Sequence, residues 1–242
     1  MVLAARPAAP YPGSTLLRLI PLLLWLPLAK WALPPGPARM LFFYGAGSLL
    51  AWVLWRQMQR RMRSAPLGGV ALFARPLRGL GEGAAAFALL VAAGTVVHGA
   101  LGGQMGALAG LLALPGAEGW RVLADNPGVA AYIVAGSVAE EWIFRVVLVW
   151  GGLARLGLLP GADGRDALSA RRLLAAAALL LVVNAYFTLL HLPHSPLVLA
   201  QAFAGGVALS LWLLWRRNAY GIALLHALFN LTLWMNAGVD AL

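Results

Sequence analysis

Three ionisable side chains, Glu140, Glu141 and Arg145, fall inside the apolar segment Gly128–Trp150, and this placement restricts the possible folds more than any other feature of the chain. A charged group at the centre of a bilayer costs between ~3 and more than ~10 kcal/mol, so groups kept there are normally paired and functional. On a helix Glu141 and Arg145 stand at i and i+4 on one face, where they can form an ion pair, whereas Glu140 is turned about 100° away. Glu140 is therefore expected to have no partner on its own helix.

That the segment lies in a bilayer follows from composition. Of 242 residues 62% are hydrophobic and 11% charged, with a mean hydropathy of +0.81, far outside the range of soluble domains. The chain reads as an integral membrane protein. It has no cysteine, which excludes disulfides, thiolate catalysis and cysteine-based metal sites. The formal charge of +10 does not point to nucleic acid, because the arginines cluster between apolar segments, where they set orientation.

Met1–Gly13 reads as a short Pro- and Ala-rich start. The first apolar run is Thr15–Leu33, weakened as a span by Arg18, Pro21 and Pro27; it exceeds an ordinary signal-peptide core, and no clear small-x-small cleavage site follows it. Met40–Trp55 is a second span, ending in Arg56, Arg60, Arg61 and Arg63, and Gly83–Leu101 a third, with glycines at 99 and 103 spaced as in close helix packing. Gln104–Pro115 is too short to cross and reads as re-entrant or interfacial, and Gly116–Pro127 as a polar loop. Gly128–Trp150, Leu173–Leu192, Pro196–Trp215 and Ala219–Trp234 complete the set, with a loop at Gly157–Ala170 marked by Pro160-Gly161 and Asp163-Gly164.

The expected fold is all-α, a polytopic membrane bundle of seven transmembrane helices, or eight if Gln104–Pro115 crosses. It divides into a short start (1–13), N-terminal helices with the re-entrant piece (14–127) and a core (128–242). Arg56 to Arg78, Arg155 to Arg172 and Arg216-Arg217 then share one side, which the positive-inside rule makes cytoplasmic, with the N-terminus inside.

The other intramembrane polar groups turn the glutamate pair into a candidate site. Phe187 and His191 share one helix face, as do His226 and Asn230. A lone histidine on an apolar helix is more often a packed residue, which suffices for His98; His194 reads as a loop residue. For His191 and His226 the partners and the unpaired carboxylate point to a shared wet cavity, which is cheaper than burying each group alone. A carboxylate in a poorly solvated pocket is a competent general base for water, and imidazole and carboxamide N–H groups can stabilise an oxyanion. These are the parts for peptide hydrolysis without a covalent intermediate; no Gly-x-Ser-x-Gly turn is present. Glu and two His are also acceptable zinc ligands, but His-Glu-x-x-His is absent and the ligands would come from three helices. A non-catalytic scaffold, or a transporter using the buried groups as a proton relay, is the reading from another class; no inverted repeat supports it.

The succession Glu140-Glu141-x-x-x-Arg145, Phe187-x-x-x-His191 and His226-x-x-x-Asn230 resembles the three motifs of the CAAX-protease and bacteriocin-processing (CPBP) family of intramembrane endopeptidases, as does the run from Phe203-Ala204-Gly205-Gly206 to Ala219-Tyr220-Gly221. The resemblance implies a glutamic-type protease without cofactor, zinc being the alternative in a CAAX-type prenyl endopeptidase. It implies that Glu140 and His191 activate water, that His226 and Asn230 stabilise the oxyanion, and that Glu141, Arg145 and Phe187 support the site. The Ala-, Gly- and Arg-rich composition suggests a GC-rich bacterial genome, so the expected setting is a bacterial cytoplasmic (inner) membrane. The expected partners are the lipid bilayer and a membrane-embedded or exported protein substrate, with C-terminal tag or propeptide processing as the reaction.

Overall fold

A computed structural model describes residues 13–34, 37–61, 71–101, 110, 112–159 and 169–237. Most of the N-terminal start, Arg63, Gly103, most of Gln104–Pro115 and the Pro160-Gly161 and Asp163-Gly164 turns lie outside these residues. Among the described residues all regular structure is helical.

The helices are α1 (Gly13–Ala32), α2 (Pro37–Met40), α3 (Gly47–Arg61), α4 (Pro76–Ala100), α5 (Ala117–Asp125), α6 (Pro127–Glu140), α7 (Gly151–Arg155), α8 (Ala170–Leu189), α9 (Pro196–Arg216) and α10 (Ala219–Ala237). Two stretches of π-helix join some of them without a break: Leu41–Ala46 links α2 to α3, and Glu141–Trp150 links α6 to α7. Prolines open α4, α6 and α9, where a missing N–H costs nothing and the fixed φ favours a helix. Ser169 and Ser195 cap α8 and α9 by accepting from Arg172 N and Val198 N.

The Glu141–Trp150 segment is the axis of the fold. All of it except Trp142 is buried, as expected of a helix apolar around its whole circumference. Leu22, Leu26, Ala51, Leu54, Trp55, Met58, Phe187 and Leu213 belong to the same core. The exterior is apolar too: Leu24, Leu89 and Leu174 are 65%, 73% and 72% exposed. A chain that is greasy inside and out has lipid as its solvent, and it is an integral membrane protein.

α4, α8 and α9 are each long and apolar enough to cross a membrane. α10 matches them in length but carries His226, Asn230 and Asn236, which lower its hydropathy. The expected fourth span is present as the α6–π–α7 rod. Two sequence expectations need correction. Gly116–Pro127 is not a polar loop: it contains α5, whose Val122 and Leu123 pack on Ile133, Trp234 and Met235, while Glu118 and Arg121 pair at 2.8 Å on its exposed side. The amphipathic pattern spans only nine residues, too few to stand out as a period. The expected Leu173–Leu192 span starts earlier and ends at Leu189, so His191 lies in the turn that follows α8.

Close packing of glycine occurs elsewhere than at Gly99, whose Cβ position is open. It joins α4 to α10: a Cβ on Gly83 would lie 2.6 Å from the Gly221 carbonyl oxygen, a backbone atom that cannot step aside. Gly83→Ala is expected to cost about 1–3 kcal/mol, whereas Gly99→Ala should be close to neutral. Thermal unfolding of the two detergent-purified variants beside wild type checks the contrast, and equal stability would contradict the seam.

Candidate active site

The two glutamates stand at the junction of two helix types. Glu140 is the last residue of α6 and Glu141 the first of the π-segment, a widened helix of the kind that recurs at functional sites. The predicted ion pair is present, with Arg145 Nη1 3.4 Å from Glu141 Oε1 and both side chains almost fully buried. The same carboxylate oxygen meets His226 Nδ1 from α10 at 2.7 Å. A carboxylate accepts, so the hydrogen belongs to Nδ1, and the other ring nitrogen turns toward Glu140, with Nε2 3.9 Å from Oε2.

Glu140 thus finds its partners on other helices, and one of them was not anticipated from the sequence. The Tyr44 hydroxyl, in the first π-segment, donates to Glu140 Oε1 at 2.8 Å. Gly136, one turn before Glu140, makes the space: a Cβ there would stand 3.2–3.3 Å from the Tyr44 ring and hydroxyl. The only signal for Tyr44 was a phenol within an apolar run. Without the fold no spacing ties it to a carboxylate 96 residues away.

Arg145 is held by more than its ion pair. Its guanidinium lies 4.2 Å from the centre of the Phe187 ring, within cation–π range, and Phe187 packs edge-on against Phe144 and His191 at 4.9 and 4.6 Å. On its far side is Gly206, where a Cβ would come within 2.8 Å of Arg145 Nη2 and 2.4 Å of Asn184 Oδ1. Asn184 itself donates to the Leu180 carbonyl and to Ser210 Oγ. Asn184 and Ser210 were not predicted as site residues, and both are buried beneath the guanidinium's pocket.

Glu140, His191 and Asn230 line one cavity of about 760 Å³, together with Tyr44, Ser137 and Phe187. His191 Nδ1 meets the Phe187 carbonyl at 2.9 Å; since a carbonyl only accepts, Nδ1 carries the hydrogen and a neutral ring keeps its lone pair on Nε2. Asn230 donates one amide hydrogen to Ser137 Oγ at 3.0 Å and retains a second. His226 is not among the lining residues and reaches Glu140 from behind. His194, a loop residue as expected, lines the same cavity, whereas His98 lies against Gly110. No group of three His, Cys, Asp or Glu among the described residues is placed to hold a metal ion.

Residues 124–232 match the family model described as Rce1-like, type II CAAX prenyl endopeptidase Rce1-like. The match covers all three motifs and lies within the family group that they resemble. No curated protein and no solved structure matches the chain.

Among the described residues, removing Arg145 would leave the buried Glu141 with His226 as its sole close partner. Arg145→Ala is therefore expected to destabilise by about 3–5 kcal/mol. Lysine should not rescue it, because an ammonium lacks the flat face that lies over Phe187. Thermal unfolding and membrane yield of the two variants measure this; a wild-type transition in Arg145→Ala would show the pair to be dispensable.

Proposed function

Starting from residues 124–232 as a segment of the Rce1-like CAAX endopeptidase family, we propose that the chain is an intramembrane endopeptidase that hydrolyses a peptide bond with water activated by Glu140. The observation that carries this reading is the chain of contacts Tyr44–Glu140–His226–Glu141–Arg145, set beside a cavity that His191 and Asn230 also line.

Tyr44 occupies Oε1 of Glu140, which leaves Oε2 as the oxygen free to take a proton. With Nδ1 committed to a carbonyl, His191 presents Nε2 as an acceptor for the second hydrogen of the same water. The water oxygen bonds to the peptide carbon, and the free amide hydrogen of Asn230 stabilises the oxygen that becomes negative, while His226, whose Nδ1 hydrogen is given to Glu141, braces Glu140 from behind. Collapse breaks the C–N bond, and Glu140 returns the proton to the departing amine. Tyr44 draws the N-terminal helices into a catalytic set whose other members all lie beyond residue 128.

Glu140→Gln keeps the shape and loses the base, and should lower hydrolysis by at least about 100-fold while the protein inserts and unfolds as wild type. Wild-type activity should survive chelators. The assay is the appearance of new protein termini in membranes containing wild-type or variant protein. Wild-type rates in Glu140→Gln would sink the assignment, and loss to chelators restored by zinc would install a metal mechanism.

The orientation belongs to the same proposal. If the seven helical rods cross in alternating directions, Arg56, Arg75, Arg155, Arg171 and Arg216 all fall at one end of the bundle. The cavity is lined at the opposite end, by Leu192, Pro193, His194 and Ala237. The positive-inside rule then opens the site toward the outer side of a bacterial cytoplasmic membrane, where membrane-anchored or exported proteins present their chains. In this cysteine-free chain Ala117→Cys, at the cavity end, should react with an impermeant thiol reagent in intact cells, and Ala162→Cys should not. The reverse pattern would invert the site.

A further inference from the structure

Two cations that line the cavity have no part in the chemistry above. Lys30, in the last turn of α1, and Arg39, in α2, both line it. The ion pairs among the described residues engage Glu82, Glu118, Glu140 and Glu141, and none involves Lys30 or Arg39. Arg39 Nε is buried without a hydrogen-bond acceptor. Around them the wall is largely apolar, with Trp31, Leu192 and Val198. Two like charges that line one largely apolar cavity are costly there, and an anion bound by both offsets that cost.

We propose that Lys30 and Arg39 form a subsite that receives a carboxylate of the substrate, so that cleavage falls within a few residues of an acidic side chain or of a free C-terminus. The inference rests on the endopeptidase reading. A guanidinium fork and an ammonium are an apt pair for a carboxylate, the first binding it in two places and the second acting as a point charge. The cavity's size and apolar wall fit a short peptide segment that meets both this pair and Glu140.

The test uses the full-length protein in liposomes fused with membrane vesicles, with new termini identified by mass spectrometry. Sites cut by wild type and not by Glu140→Gln should carry Asp, Glu or the chain end nearby far more often than the membrane proteome does. The charge reversal Lys30→Glu with Arg39→Glu should abolish that preference and transfer it to sites near Lys or Arg, a change that a merely structural role would not produce. Peptides copied from the best site separate the two sources of carboxylate: either amidation of the C-terminus or Asp→Asn (Glu→Gln) should raise KM about tenfold with kcat nearly unchanged. Glu140-dependent cleavage with no enrichment of carboxylates would overturn the subsite and leave the protease standing. A requirement for anionic lipid that replaces the carboxylate preference and disappears in the reversed variant would assign the pair to a lipid phosphate and also overturn it. If no cleavage depends on Glu140, both readings fall together.

Discussion

A single carboxylate oxygen, Oε1 of Glu141, stands between Arg145 and His226, and the rest of the site is hung from it. In water such a contact would be worth little, since exposed ion pairs contribute about 0–1 kcal/mol. Here both charged side chains are removed from solvent, and the interaction decides whether they can be buried at all. One end of the arrangement fixes the guanidinium against Phe187, and thereby the helix that precedes the His191 turn. The other end fixes the tautomer and tilt of His226, and so the group that Glu140 meets behind it. Glu141 therefore ties α10 and the Phe187 face of α8 to one rod.

The requirement explains why the surrounding packing is so asymmetric. Lipid gives no hydrophobic reward for bringing helices together, so close contact must come from fitted surfaces and internal polar bonds. Glycines supply the fit at Gly83 against Gly221, and at Gly206 beneath Arg145 and Asn184. Internal polar bonds add to the fit, among them those of His226, Asn230 and Asn236 on α10 to Glu141, Ser137 and Ala113.

Much of this was legible in the sequence because buried charge is conspicuous in an apolar chain. Glu140, Glu141, Arg145, Phe187, His191, His226 and Asn230 all stood out by type and by a four-residue spacing, and the structure brings them together around one cavity and its backing. Tyr44 and Asn184 did not stand out, since a phenol or an amide in a membrane helix is common and their relevance depends on which helix lies opposite. The turn that holds His191 was hidden because the apolar pattern runs on past Leu189. α5 was hidden for the opposite reason: nine residues give too few turns for a period to show. The π-geometry left no mark either, as the i and i+4 contact of Glu141 with Arg145 is available to both kinds of helix.

The long π-segment sets the rotational phase of α7 relative to α6. A helix bonded i to i+5 turns less per residue than one bonded i to i+4, so the two lie on one rod and yet are indexed separately. Upstream, the index places Gly136 under Tyr44 and Glu140 over the cavity; downstream, it places Gly151 under Met58 and Gly152 under Leu179. The segment thus works as a vernier between a catalytic half and a structural half. Loss of one residue within it would leave the glutamates aimed as they are, and would swing the glycine faces of α7 away from the side chains they accommodate. Insertions and deletions in this rod should be read as changes of angle before they are read as changes of length.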